Sequence, residues 1–283
     1  MAITNFVPEI WSAELLVELE KAHVYGAAGV VNRDYEGEIA NAGDTVHITS
    51  LVEPTIGDYT PHEDIEFEQV DDEDLVLTID QSKFFGFTVD DVEKRQALRG
   101  GAVLSEQARK AAYKLRDVSD IHVATLMSAG VAPGNLISGA ALTDPGDAYE
   151  LLVDLDTVLS ESDVPHMDRW VVVSPKFYGL LKKDNRFVAT GDAAAVATRA
   201  NGRVGEASGF SIRVSNNVPL APGEDGGRRI LAGYGGAVTY AEQINKVESA
   251  RKEKGFADLV KGLHLYGSRV IRPTGLAAAD VVI

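Results

Sequence analysis

The sequence predicts an α+β fold, on three observations. Runs of strand-forming residues are interleaved with stretches of clear helical period. No regular βαβ alternation and no internal repeat joins them. The composition, 45% hydrophobic and 25% charged over 283 residues, is that of a folded chain with its own core. A chain of this length buries roughly three quarters of the surface its unfolded form exposes, so it needs no disulfide or metal to stay folded. It has no Cys, which excludes disulfide scaffolds, thiolate metal sites and cysteine nucleophiles together. Its apolar stretches fall far short of the roughly 20 residues of a membrane span, and Met1, Ala2, Ile3, Thr4 and Asn5 form no basic segment ahead of an apolar one. The chain is therefore expected to be neither inserted in a membrane nor conventionally exported.

Charge is distributed unevenly. The formal net charge is −16, from 27 basic and 43 acidic residues, yet fifteen of the acids and no Lys or Arg lie between residues 34 and 82. Such a balance, with no dense basic stripe, argues against a free-standing nucleic-acid binder, because phosphate affinity comes from clustered Lys and Arg. A solvated acidic loop is the plain reading of a charge run. Two strand-like runs inside the segment point further: residues 45–52, and residues 75–79 with an extension through 84–89. Pro54, Gly57 and Pro61 punctuate the acidic crossing between them. This reads as a two-stranded arm with acids at its tip. A nine-residue strand reaches about 30 Å, and an isolated two-stranded ribbon is marginally stable in water at best. Another subunit is its natural holder.

Beyond the arm, Asp90 and Asp91 suit a helix cap, Gly100 and Gly101 interrupt the helix, and residues 103–127 resume it. Leu104, Ala108, Ala111, Leu115 and Val118 step by four and three along one stripe. Lys94, Arg95, Arg99, Arg109, Lys110, Lys114 and Arg116 occupy the other faces, against only Asp91, Glu93 and Glu106. They form a candidate counter-surface for an acidic arm; an ordinary amphipathic helix is the alternative. Residues 128–145, rich in Gly, Ala and Pro, read as a linker or domain boundary. Thr143 or Asp144 can cap a helix starting near Pro145 with Ala148, Leu151, Leu152, Leu155, Val158 and Leu159 on one side. Residues 170–173 read as a buried strand ended by Ser174 and Pro175, and Pro175 opens a short helix. Residues 210–214 and 229–231 supply strands, 237–243 and 246–251 two alternating edge strands, and 264–272 a last extended segment.

Catalytic chemistry finds little support. His23, His47, His62, His122, His166 and His264 include no pair at the i, i+4 spacing of a helical metal site. There is no nucleophile elbow and no phosphate-cradling loop, and Val238 breaks the dinucleotide pattern begun by Gly233, so those glycines read as turns. Acids such as Asp71 and Asp72, on an exposed tip, lack the two contrasting environments that acid–base catalysis requires. No cofactor is expected.

The order of parts resembles the major capsid proteins of tailed bacteriophages, with their HK97-like capsid fold. An N-terminal arm contains Trp11, Ser12, Ala13, Glu14, Leu15 and Leu16, and an extended loop, a long spine helix, an α+β domain and a closing strand follow. Val172-Val173-Ser174-Pro175-Lys176-Phe177-Tyr178-Gly179-Leu180-Leu181 resembles the family's strand, Ser/Asn-Pro, helix element. Gly202-Arg203-Val204-Gly205, then Gly209-Phe210-Ser211-Ile212-Arg213-Val214-Ser215-Asn216-Asn217-Val218-Pro219, resembles its glycine–Phe strand with a following Ser-Asn and Pro. Gly267-Ser268-Arg269-Val270-Ile271-Arg272-Pro273 resembles the closing strand of the peripheral domain.

The resemblance implies five segments: an N-terminal arm at 1–33, an extended acidic loop at 34–90, the spine helix with the first part of a peripheral domain at 91–142, an axial domain at 143–263, and a C-terminal return to the peripheral domain at 264–283. It implies a structural protein and not an enzyme, whose copies form hexamers and pentamers that close into an icosahedral shell around double-stranded DNA. The intersubunit contacts expected are Glu63, Asp64, Glu66, Glu68, Asp71 and Asp72 of the loop, Lys94, Arg95, Arg99 and Arg109 of the helix, and Trp11 of the arm. Partners implied are copies of itself, a separate scaffolding protein, a portal protein, DNA in weak non-specific contact and a decoration protein where present, with no membrane. The location implied is the virion, after assembly in the bacterial cytoplasm. Some relatives weld subunits through a loop lysine; residues 34–82 hold none, so no such covalent link is expected. An encapsulin-type nanocompartment shares the shell fold and is the first alternative, told apart by its cargo. An α+β enzyme is the second.

Overall fold

The computed structural model describes residues 23–35, 45–51, 56, 72–90, 102–184, 186, 205–223, 226–252 and 255–282. Strands β1 (Thr45–Leu51) and β2 (Asp72–Thr78) pair antiparallel as a two-stranded sheet, Thr45 opposite Thr78 and Leu51 opposite Asp72. The expected extension of β2 through residue 89 is corrected. After Ile79 and Asp80 the chain changes sheets, and β3 (Gln81–Asp90) pairs with β10 (Ala257–Val270), which pairs in turn with β9 (Val238–Arg251). The change is fixed by packing, since Leu77 and Ile79 turn into an apolar cluster with Ala241 and Leu265. Residues 238–251 also form one strand where two were expected. The extra residue near Asn245 is taken up by a register shift opposite Leu263 and His264, a bulge that keeps the flanking pairs aligned.

A six-stranded sheet forms the body. Its order is β4 (Leu136–Ala141), β11 (Leu276–Val282), β8 (Arg228–Tyr234), β5 (Arg169–Val173), β7 (Phe210–Val214) and β6 (Glu206–Ala207). Helices cover both faces, which is why every residue of β5 is buried. On one side lie α2 (Pro145–Glu161) and α3 (Pro175–Lys183), bringing Leu151, Leu152, Leu155, Leu159, Phe177 and Leu181 against Val171, Val173, Ile230 and Ala277. On the other lies α1 (Ala102–Gly130), whose Val123, Ala124 and Met127 meet Trp170, Val172, Leu231 and Ala278 together with Tyr25, Val30 and Val31. The helix starts follow the expected chemistry. Asp144 caps the helix just before Pro145 and Asp147, in its first turn, accepts the Asp144 amide at 2.8 Å, and Ser174 Oγ accepts the Phe177 amide at 3.3 Å.

Three sequence expectations are corrected here. Residues 128–145 are not a linker: they hold the end of α1 and strand β4, parallel to β11. Gly233 lies inside β8 and not in a turn. The stripe expected on α1 is rotated, because Val118 is 41% exposed whereas Ala112, Leu115, Ser119, Asp120, Val123 and Met127 are buried. Residues 23–35 cover that side of α1, and the amides of Val24, Tyr25 and Gly26 make a place there for Asp120. β9 and β10 share a sheet with β3, and β11 lies between β4 and β8 in the body sheet.

Candidate functional site

Two junctions fasten described segments of the chain to the body. The first is the root of the ribbon. Gly267 of β10 faces the chain where β2 ends, and a Cβ there would stand well inside contact distance of the Thr78 carbonyl oxygen, 2.9 Å from Ile79 Cδ1 and 3.1 Å from Ile79 Cα. The arm crosses β10 over Gly267, where nothing larger fits. Arg269 of β10 donates to the Val76 carbonyl, which ties β2 down on the same side. Among the described residues the ribbon has no third strand, so beyond this root β1 and β2 pair only with each other.

The second junction holds residues 23–35. Asp120, 3% exposed on α1, accepts the amides of Val24 at 3.2 Å, Tyr25 at 3.1 Å and Gly26 at 3.2 Å, and His23 Nδ1 stands 3.4 Å from the same oxygen. His23 Nε2 lies 3.4 Å from Glu242 Oε2 of β9. Glu242 also receives Arg33, the Tyr240 hydroxyl at 2.6 Å and His264 Nε2 at 3.1 Å. Backbone bonds continue the seam, Asn32 N to Val238 O at 2.8 Å and Tyr240 N to Asn32 O at 2.9 Å. Burial alone pushes the His23 imidazole down, but hydrogen bonds and charge from Asp120 and Glu242 outweigh it and raise it to about 9. Burial pushes Glu242 up, and His23, His264 and Arg33 overcome this to hold its carboxyl well below the usual range. Burial and the Glu242 charge raise the Tyr240 hydroxyl well above its ordinary value.

The outer surface carries contact features. Phe84 is 83% exposed on β3, and with Phe85, Glu248, Lys261, Gly262 and Leu263 it lines an open cavity of about 320 Å³. On α1, Arg109, Lys110 and Lys114 are exposed, and the Arg116 guanidinium lies 4.5 Å over the Tyr113 ring. Among the described residues no group of His, Asp and Glu is arranged to hold a metal ion, and no helix is long and apolar enough to cross a membrane.

This architecture can be compared with known proteins. Residues 72–279 match the sequence profile of the family described as phage capsid protein. The chain belongs to that family. Solved structures agree. A structure of Mycobacterium phage Che8 shares 27% identity at a TM-score of 0.74, covering 98% of each chain. The capsid of cyanophage P-SCSP1u shares 17% identity at a TM-score of 0.72, over 92% of this chain and 88% of that one. The holo-SrpI encapsulin of Synechococcus elongatus shares 14% identity at a TM-score of 0.57, over 99% and 92%. A comparison with curated proteins finds no match. The phage capsid protein thus has the α+β, HK97-like capsid fold expected of it, and it is a structural component of a virion shell.

Of the contact residues expected from sequence, Trp11, Glu63, Asp64, Glu66, Glu68, Asp71, Lys94, Arg95 and Arg99 lie outside the described residues. Asp72 opens β2, opposite Leu51. Arg109 is exposed on α1. The capsid protein's buried His23, Asp120, Glu242 cluster was not anticipated. Its members stand 97 and more residues apart in sequence, and a search for local His pairs passes over them. An acid on the apolar side of α1 was the one available signal.

Proposed function

We propose that copies of this capsid protein form hexamers and pentamers that close into an icosahedral shell around double-stranded DNA, each copy clasping a neighbour with its β1–β2 ribbon. The observation that supports this most directly is a two-stranded ribbon that, among the described residues, meets the body at its root, through Gly267, Arg269 and the packing of Leu77 and Ile79, on a phage capsid fold. Two strands alone do not make a stable sheet in water, so a ribbon that leaves the body gains its stability from what it lies on. The basic flank of α1 with Arg109, and Lys94, Arg95 and Arg99 before it, is the counter-surface proposed for Glu63, Asp64, Glu66, Glu68, Asp71 and Asp72, with Trp11 on a further contact. A separate scaffolding protein guides closure, a portal protein occupies one vertex, and a decoration protein is an optional outer partner. Packaged DNA touches a net acidic wall only weakly and in a salt-sensitive way.

Electron microscopy of the protein expressed with and without its scaffolding protein tests the proposal. Closed icosahedral particles with scaffolding and aberrant ones without it are expected; a small discrete oligomer in both cases overturns it, and protein cargo in place of DNA moves the chain to the encapsulin reading. Exposed ion pairs contribute only about 0–1 kcal/mol each, but a shell repeats them in every copy. Replacing Glu63, Asp64, Glu66 and Glu68 by their amides is therefore expected to lower the melting temperature of shells and leave the monomer's circular dichroism unchanged. Shells that melt as before show those acids to be merely solubilising.

A further inference from the structure

We propose that His23, held between Asp120 and Glu242, is the positively charged key of a latch that fastens residues 23–35 to α1 and β9, that this latch opens when the imidazole loses its proton, and that shell formation needs it closed; the last part rests on the assembly reading above. The placement of the ring between two carboxylates favours the charged form. A neutral imidazole has one N–H, and His23 presents Nδ1 to Asp120 Oδ1 and Nε2 to Glu242 Oε2, each at 3.4 Å. Only the doubly protonated ring meets both carboxylates with a proton; the neutral ring turns a lone pair on one of them. The side chain of His23 is fully buried, and those of Asp120 and Glu242 are 4% and 9% exposed, so water does little to relieve the mismatch.

Charge balance leads to the same assignment. From α1 comes Asp120; from β9, Glu242 and the Tyr240 ring, 5.9 Å from the His23 ring; from β10, His264 on Glu242; and from the latch segment itself, Arg33 on Glu242 and Tyr25 beside Asp120. Two carboxylates face two cations, His23 and Arg33, when the imidazole is protonated. Gly26 closes the packing, because a Cβ there would come within 2.9 Å of His23 Nδ1. The sign of the pH dependence follows. The imidazole titrates near 9 in the folded chain and at 6.5 ordinarily, so its stabilisation is complete below 6.5 and is lost as pH rises through about 9. Glu242, held low, loses its contribution only as pH falls through its depressed value.

Hydrogen exchange on the intact chain, corrected for intrinsic rates, tests the latch through the amides of Val24, Tyr25 and Gly26. Their protection is expected to fall about a hundredfold between pH 6.5 and 9.5, while the amides of β5 and β11 hold. His23→Gln is expected to start low and stay flat with pH, and His23→Arg, which keeps a cation with several donors, to stay protected at pH 9.5. Protection that is flat in the native chain, or equal in native and His23→Gln chains, overturns the latch. Normal shells from a His23→Gln chain whose segment exchanges freely overturn its link to assembly. A native latch that titrates as expected in a chain that forms no shells with its scaffolding protein overturns the assembly reading and supports the latch by itself.

Discussion

Gly267→Ala is expected to abolish normal shells while the six-stranded sheet stays folded. The added methyl meets the backbone of Thr78 and the Ile79 side chain and Cα, and the carbonyl cannot rotate out of the way as a side chain would. Either β10 gives, breaking its pairs with β3 and β9, or the root of the ribbon lifts off β10. The second is the smaller disturbance, because β2 is held there by the Leu77 and Ile79 packing and the Arg269 bond and not by sheet pairing. An overpacked site of this kind costs about 1–3 kcal/mol, which a body of this size survives. A lifted root swings the far end of the ribbon by many times the local shift. Negative-stain microscopy of particles, read beside the denaturant midpoint of the soluble chain, checks this. Well-formed shells from Gly267→Ala would show that the root does not aim the ribbon.

Arg229→Leu is expected to give the largest loss of stability, about 3–5 kcal/mol. Arg229 Nε and Nη2 reach Asp280 Oδ1 and Oδ2 at 2.6 and 2.7 Å, a two-pronged pair joining β8 to β11, and Nη1 donates to the Ser128 carbonyl of α1 at 3.2 Å. Asp280 is 4% exposed, so the lone variant leaves a carboxylate without its cation in the body. Replacing both partners by apolar residues of similar volume, Arg229→Met with Asp280→Leu, is expected to recover most of the loss, since burying both charges already opposes much of their attraction. Urea midpoints of the three chains decide it. A single variant as stable as the native chain would mean that Asp280 finds another donor.

What the sequence disclosed depended on how local each signal is. The capped helix from Pro145, strand β5 and the Pro175 helix are each written in fewer than twenty consecutive residues, and they form where expected. The change of sheet at Ile79 and Asp80 is hidden, because residues 75–79 and 84–89 read as one continuing strand and Gly267, which makes room for the crossing, lies far along the chain. Strand β4 is hidden by its place at the sheet edge, where Ser138, Gly139 and Ala141 are exposed and small residues suffice. The β1–β2 ribbon was legible through its two strand-like runs, whereas the acids at 63–71 lie outside the described residues. Asp120 is marked only as an acid on the apolar side of α1, because the amides and the imidazole that make it acceptable in the interior come from residues 23–26, far away in sequence.

The seam at residues 23–35 also has a mechanical meaning. Asn32 bridges Thr239 in parallel, and Asp120 grips three successive amides, so a pull on the front of the polypeptide loads these bonds together, in shear. Bonds strained side by side yield at a higher force than bonds unzipped one at a time. A container under internal pressure would send its tension through this seam into the long helix and spread it over the body sheet.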